Sequence, residues 1–355
     1  MPRPFRLNAD EYRPLGGTGL RVPPIVFGTS ALGNLYQVIS DVAKLEIAAA
    51  WFDHVAPPVV LDSAGKYGAG LALEQIGRVL TKLDVPPEQV ILSNKLAWKR
   101  APLTTPEPTF EPGLWIDVEH DAVQRINYDG MLECWAEGCR LLGGAYRPQL
   151  VSVHDPDEYL AAAMSPDDRQ RRFADVVDAY RALAELKQRG EVRGIGVGAK
   201  DWRVIEAIDA AVALDWVMLA ACYTLLRHPP ELVAFMKRLA DRGVGIINSA
   251  VFHAGFLVGG KYFDYRVLDP NSDADRKLLA WRKGFAALCQ GHGITPMHAC
   301  VQFALSGPGV VAVALNTSHA DRVAQNVAAT VTPVPAQFWA SMEEEGLLGE
   351  NDPTP

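Results

Sequence analysis

The sequence predicts an α/β fold, a single (β/α)8 barrel of the TIM type running over residues 1–355 as one domain. Three observations carry that expectation. Apolar strand-like runs alternate with helix-period segments along nearly the whole chain, in eight units, the number that closes a parallel sheet into a barrel. The runs are apolar on both faces, as strands beneath an outer helix layer must be. Three consecutive runs end on proton-handling side chains: Asp62 with Tyr67 just beyond it, Lys95, and His154. A barrel places such ends on one face.

The elements follow in order. Val22 to Gly28 is the first strand and Asp41 to Phe52 its helix; Val59 to Asp62 leads to a helix over Leu71 to Leu83. Val90 to Lys95 precedes a long loop and a helix over Asp129 to Leu142. Leu150 to His154 precedes a helix stopping at Gly190, in which Phe173, Val176, Val177, Tyr180, Leu183 and Ala184 recur at helical spacing. Val192 to Gly198, Trp216 to Cys222, Gly245 to Ser249 and Val310 to Leu315 complete the strands. Their helices fall at Trp202–Ala213, Pro230–Asp241, Asp275–Gln290 and His319–Ala328, with an extra one at Met297–Leu305. Residues 1–14 read as an N-terminal extension and 345–355 as a polar tail. Two long loops, 99–127 and 251–272, leave from strand C-terminal ends. Pro102, Pro106, Pro108 and Pro112 make the first unlikely to be helical, and loops of such length are usually functional. The first is expected to cover the site and the second to contact a cofactor.

Composition excludes several classes. The chain has 355 residues, 49% hydrophobic and 21% charged, with net charge −8. No Lys/Arg run offers a nucleic-acid footprint; Arg169 to Arg172 is balanced by Asp167, Asp168 and Asp175. Five cysteines without a Cys-x-x-Cys fit neither a disulfide framework nor a zinc site, and read as free thiols in a reducing compartment. The first six residues lack an apolar signal region, and the longest apolar stretch, Trp216 to Leu226, is too short to span a bilayer. A cytoplasmic protein with no membrane and no nucleic-acid partner is expected, its oligomeric state unreadable.

The strand-end residues suggest a specific chemistry. A phenol is a weak general base near neutral pH, and a neighbouring ammonium is expected to favour its ionised form. Lys95 needs a carboxylate to stay charged in a desolvated pocket, and Asp62 is the natural one. His154 then hydrogen-bonds and orients the reacting oxygen. This apparatus moves a proton on or off a carbonyl or alcohol oxygen while hydride moves on the carbon, and hydride needs a cofactor. Singly, each residue has an ordinary reading: a helix cap, a loop tyrosine, a rim cation, a rim histidine. Together, at three successive strand ends, they point to a site.

The segment Asp62-Ser63-Ala64-Gly65-Lys66-Tyr67-Gly68, Asn94-Lys95, and His154 after the fourth strand resemble the motifs of the aldo-keto reductase superfamily, from about Leu15 to Asn326. The resemblance implies Tyr67 as general acid/base, Lys95 and Asp62 as its tuning pair, and His154 as substrate orienter. Residues 27–36, His154-Asp155-Pro156-Asp157, residues 222–226, and Ile247-Asn248-Ser249-Ala250 with Gly255-Phe256-Leu257 are similar to the sugar C1 dehydrogenase branch acting on L-fucose, L-galactose or D-arabinose, which pyridoxal 4-dehydrogenases share. That branch implies oxidation of a ring C1 hydroxyl to a lactone.

It also implies a nicotinamide cofactor held by Gly28, Gly198, Asn248, Ser249, Asn316, Thr317, Arg322 and Asn326. Several positions depart from the wider family. Gly198-Ala199 replaces Ser-Asn, Lys200 a branch-typical Asn, Ala220 a common Gln, Asn248 a stacking aromatic, and Gln325 a common Glu. Asn316 replaces the lysine that grips a 2′-phosphate, which favours NAD over NADP, while Arg322 leaves NADP open. Tyr36, Trp98, Trp115, Phe252 and His253 are candidates to line a sugar pocket, and Asp155 to accept a hydroxyl.

Rival readings are weaker. Gly194-Ile195-Gly196-Val197-Gly198-Ala199 fits a dinucleotide fingerprint, but Asp215 precedes its strand instead of ending it. His154, Asp155 and Asp157 are too few for a metal-dependent hydrolase. A general aldehyde or ketone reductase, or a non-catalytic aldo-keto-like scaffold, remains as an alternative.

Overall fold

The computed structural model describes residues 5–264, 266–349 and 354–355. Eight parallel strands form the closed barrel: β1 (Ile25–Gly28), β2 (Val59–Ala64), β3 (Val90–Leu96), β4 (Leu150–His154), β5 (Gly194–Ala199), β6 (Trp216–Ala220), β7 (Gly245–Ser249) and β8 (Val310–Leu315). They pair in chain order and β8 closes on β1. The helices are α1 (Asp41–His54), α2 (Leu71–Lys82), α3 (Tyr128–Leu141), α4 (Pro156–Ala161), α5 (Pro166–Gln188), α6 (Trp202–Ala211), α7 (Pro230–Asp241), α8 (Asp273–Gly291), α9 (Pro296–Ser306), α10 (Asp321–Val331) and α11 (Ala336–Glu344). No helix among the described residues is long and apolar enough to cross a membrane.

The barrel interior is a small apolar cluster that includes Val26, Val60, Ile91, Leu150, Trp216, Met218, Ile247 and Ala312. Side chains alternate across a strand, so the residues two and four places on from these also face inward. Asp62 follows Val60, Ser93 and Lys95 follow Ile91, and Ser152 and His154 follow Leu150. The register sets Ala64 beside Lys95, Lys95 beside Ser152, and His154 beside Gly198. The polar layer thus lies directly above the apolar one.

Three glycines of β5 share that inner face, and packing explains each. A Cβ on Gly194 would stand 2.4 Å from Thr18 Cγ2, one on Gly196 2.4 Å from Trp216 Cε2, and one on Gly198 3.3 Å from Lys95 Cδ. The run that mimics a dinucleotide fingerprint is therefore a barrel strand made small for its neighbours.

The structure corrects several boundaries. The expected first strand divides: Arg21–Val22 pairs with Arg13–Pro14 in an antiparallel hairpin, and only Ile25–Gly28 joins the barrel. Arg13 and Pro14 of the expected extension belong to this hairpin, residues 1–4 lie outside the described residues, and Leu15 is fully buried against the foot of the barrel. The loop at 99–127 is not featureless, since Trp98–Pro102 pairs antiparallel with His120–Gln124. In the second loop, Tyr262–Phe263 pairs with Arg266–Val267. The helix after β4 is two helices, α4 and α5, divided before Ser165, whose side chain caps α5. The expected polar tail is packed at its start, with Leu348 buried, and 350–353 lie outside the described residues. All five cysteines are free, Cys139 half-buried and the others buried.

Candidate active site

The mouth of the barrel collects Asp62, Tyr67, Lys95 and His154. Asp62 and Lys95 come from neighbouring strands, and the Lys95 ammonium pairs directly with Asp62 Oδ2. Ser93 Oγ donates to the other carboxylate oxygen at 3.0 Å, so both Asp62 oxygens are engaged. Tyr67 lies on the turn between β2 and α2. Its ring centroid is 4.8 Å from Lys95 Nζ and 5.7 Å from the His154 ring, which meets it edge-on. Asp62 and Lys95 are each 3% exposed and His154 5%.

Burial dominates the electrostatics. It pushes the Tyr67 phenol up to about 12, because Lys95 pulls the other way but loses, and Asp62 adds to the rise. The expected lowering by Lys95 is present and outweighed. Burial would discharge Lys95, yet the carboxylate of Asp62 holds its ammonium above the ordinary lysine range. Burial drives the His154 imidazole well below the usual histidine value, against the pull of Asp155, so it is neutral at pH 7. The site thus holds a neutral phenol, a neutral imidazole and a charge-balanced ion pair.

A second ion cluster lies beside the first and was not foreseen. Lys66, 2% exposed, reaches Glu111 at 2.8 Å, Asp155 at 2.9 Å and Glu158 at 3.0 Å. Asp155 Oδ2 is also 3.6 Å from His154 Nε2. Burial opposes ionisation of Asp155, but the cations Lys66 and Lys200 hold the carboxyl below its ordinary range. Asp155 adopts a left-handed φ of 50°, a conformation Asp tolerates better than most residues. Its carboxylate is therefore engaged by Lys66 and stands beside the imidazole. Lys66 had one visible signal, its place next to Tyr67, but its partner Glu111 comes from a distant loop.

Aromatic residues roof the mouth. Trp115 packs 5.8 Å from Tyr67, and Trp98 carries the Lys66 ammonium 5.1 Å from its ring. Tyr36, on the loop after β1, stacks on Tyr262 of the second long loop at 5.8 Å. The first long loop is tied to the β1 loop through Tyr36 N to Leu114 O at 2.7 Å and Ile116 N to Asn34 O at 3.1 Å. Its Trp115 is the residue it brings against the Tyr67 ring.

Three expected residues are placed elsewhere. Asn248 follows the inward Ile247 and so faces outward; it is fully buried, its amide donating to Tyr223 O at 2.8 Å and Ala304 O at 3.2 Å. His253 is also fully buried, held by Thr224 at 2.7 Å and Asp264 at 2.8 Å, and stacked on Phe263. It fastens the second long loop and does not line a substrate pocket. Phe252 wedges between the two outer apolar clusters.

The sequence profile of the Aldo/keto reductase family matches residues 24–345. The chain belongs to that family. It is an oxidoreductase built on the closed eight-stranded barrel described above. A pyridoxal 4-dehydrogenase from Microbacterium luteolum is 27% identical over 97% of this chain and 100% of its own length. A D-threo-aldose 1-dehydrogenase from Pseudomonas sp is 29% identical over 95% of this chain and 97% of its own. Among solved structures, the glycerol dehydrogenase of Gluconobacter oxydans superposes with a TM-score of 0.67 at 16% identity, covering 98% of both chains, which speaks to the fold.

The rim of this aldo/keto reductase fits a nicotinamide coenzyme. Gly198 leaves the floor beside Lys95 clear, since a Cβ there would stand 3.3 Å from Lys95 Cδ, and Gly28 keeps the rim open beside Asn316, whose Cβ a side chain there would meet at 3.4 Å. Ser249 ends β7 on the inner face, its hydroxyl 3.3 Å from Leu219 O. Past β8, Asn316 is exposed and donates to Ser30 Oγ at 2.9 Å, and Thr317 follows it. Arg322 is exposed in the first turn of α10, and Asn326 lies one turn further on.

Proposed function

We propose that this enzyme oxidises the C1 hydroxyl of an aldose of the L-fucose, D-arabinose or L-galactose type to the lactone. The observation that carries this reading is the buried Asp62–Lys95 pair set against Tyr67, with His154 at the edge of the phenol ring. The D-threo-aldose 1-dehydrogenase relative supports the substrate class. The pyridoxal 4-dehydrogenase relative favours a second reading: the ring hemiacetal of pyridoxal presents the same C–H and O–H.

A nicotinamide coenzyme, when bound, accepts the hydride; all else falls to the chain's own groups. Gly28, Gly198, Ser249, Asn316, Thr317, Arg322 and Asn326 would hold it. Tyr67 takes the proton of the C1 hydroxyl. Lys95 stabilises the phenolate while Asp62 keeps Lys95 charged. The neutral imidazole of His154 donates a hydrogen bond to the reacting oxygen, and Asp155, fixed by Lys66, positions it. Trp115, Trp98 and Tyr36 offer aromatic faces to the C–H surface of a sugar. NAD is favoured over NADP because Asn316 brings no charge to a 2′-phosphate.

The test is a panel of these three sugars, pyridoxal and simple aldehydes with NAD+ and NADP+. One of the aldoses should give the highest kcat/KM, with NAD+ preferred. Pyridoxal leading would select the second reading, and aldehyde reduction alone would reject both.

The pH profile follows from the raised phenol. Oxidation needs the ionised form, whose fraction grows about tenfold per unit below its pKa. Since that pKa is near 12, kcat/KM for oxidation should climb without a plateau from about pH 7 to 10. Reduction needs the neutral phenol and should stay flat over the same range. His154, already neutral, adds no acid limb near its ordinary value. Initial rates in both directions across pH check this.

A further inference from the structure

A second cavity of about 390 Å³ lies outside the barrel mouth, behind the Tyr67 loop. The first turn of α1, one face of α2, the loop after β1 and the end of the first long loop enclose it. Two nearly buried polar side chains line it. Lys44 is 3% exposed and Gln75 5%, and among the described residues neither side chain has a hydrogen-bond or ion-pair partner. Neither polar end is sealed off, so the Lys44 ammonium and the Gln75 amide keep their hydrogen-bonding capacity open to whatever enters the cavity. Burial lowers the Lys44 pKa, opposed by Asp41 and reinforced by Arg78.

The other charges around the cavity do not satisfy Lys44. Arg100 is itself taken up by Glu74 at 2.8 Å and by Ala69 O at 2.7 Å. Asp41, Asp117 and Glu119 are exposed at the mouth, and Arg78 is exposed beside them. An ammonium and an amide N–H lining one small cavity offer two donors to the two oxygens of a carboxylate. Carboxylates at the mouth accept hydrogen bonds from hydroxyls and repel a polyanion.

We propose that this cavity is a binding site for a small hydroxylated monocarboxylate, its carboxylate held by Lys44 and Gln75 and its hydroxyls turned to Asp117 and Glu119. The cavity is within the volume range of small-molecule pockets. The proposal is independent of the reaction at Tyr67.

Calorimetric titration of the full chain with sodium gluconate, against inorganic phosphate at equal ionic strength, tests it. Wild type should bind one gluconate at this site, and Lys44→Met should weaken it about tenfold or more, the loss of a charge-assisted contact. Gln75→Leu should weaken it less. Both variants should keep wild-type kcat, and Lys44→Met should melt no lower than wild type, since it removes an unpaired buried charge. Should Lys44→Met fail to fold, Gln75→Leu alone decides. No gluconate binding, or binding untouched by the substitutions, overturns the site. Phosphate binding as well as gluconate overturns the monocarboxylate assignment.

Discussion

Tyr67→Phe is expected to lower kcat by about a thousandfold, the scale of positioned acid–base catalysis, with coenzyme affinity unchanged within about twofold. The substitution removes one oxygen and keeps the ring. The ring packs on Trp115 and lies against Lys95 and His154, so the mouth should hold its shape. Stability should fall only slightly, because the ring packing is kept and what is lost is the phenol's hydrogen bond with Lys95. Steady-state rates together with a fluorescence titration of the coenzyme separate the two quantities. A variant retaining more than about a tenth of wild-type turnover would remove the phenol from the mechanism.

Lys95→Met is expected to produce the largest change in stability, a loss of about 3–5 kcal/mol. It leaves Asp62 buried with its charge uncompensated, while Ser93 alone still donates to it. Asp62→Leu should be damaging for the mirror reason. The double variant removes both charges and should recover most of the loss, since replacing a buried pair with apolar residues is often neutral. Activity should not return, because Tyr67 then lacks the cation that stabilises its ionised form. Chemical denaturation of the four proteins gives the cycle. Recovered stability with activity still absent would separate the pair's structural role from its catalytic one. Additive losses would show that the two residues do not act as a unit.

The barrel and the core of its site were legible because both obey short-range rules. Two-sided apolar runs mark buried parallel strands, and a polar residue ending such a run must lie at the mouth. Asp62, Lys95 and His154 need nothing more. The same alternation could have placed Asn248: with Ile247 inside, its neighbour must face the helix layer, and likeness to a family motif obscured that. The helix α11 was also readable, since Phe338, Trp339 and Met342 recur on one buried face. Other features were out of reach. The prolines of the first long loop argue against helix but do not reveal that Trp98–Pro102 pairs with His120–Gln124. Lys66 draws on carboxylates 45 to 92 positions away, from two different segments, and no local pattern predicts such pairing. His253 looked like a pocket residue until Thr224 and Asp264 were seen to hold both its nitrogens. The depth of burial around Tyr67 was hidden too, and it reverses the net direction of the phenol's pKa.

In the proposed reaction a hydride leaves a carbon whose hydroxyl proton is taken by Tyr67. The most direct measurement uses C1-deuterated aldoses with NAD+, followed by mass analysis of the recovered coenzyme. Deuterium should appear in the reduced nicotinamide with wild type and almost none with Tyr67→Phe. An unlabelled coenzyme in both, or equal labelling in the two proteins, would contradict the account.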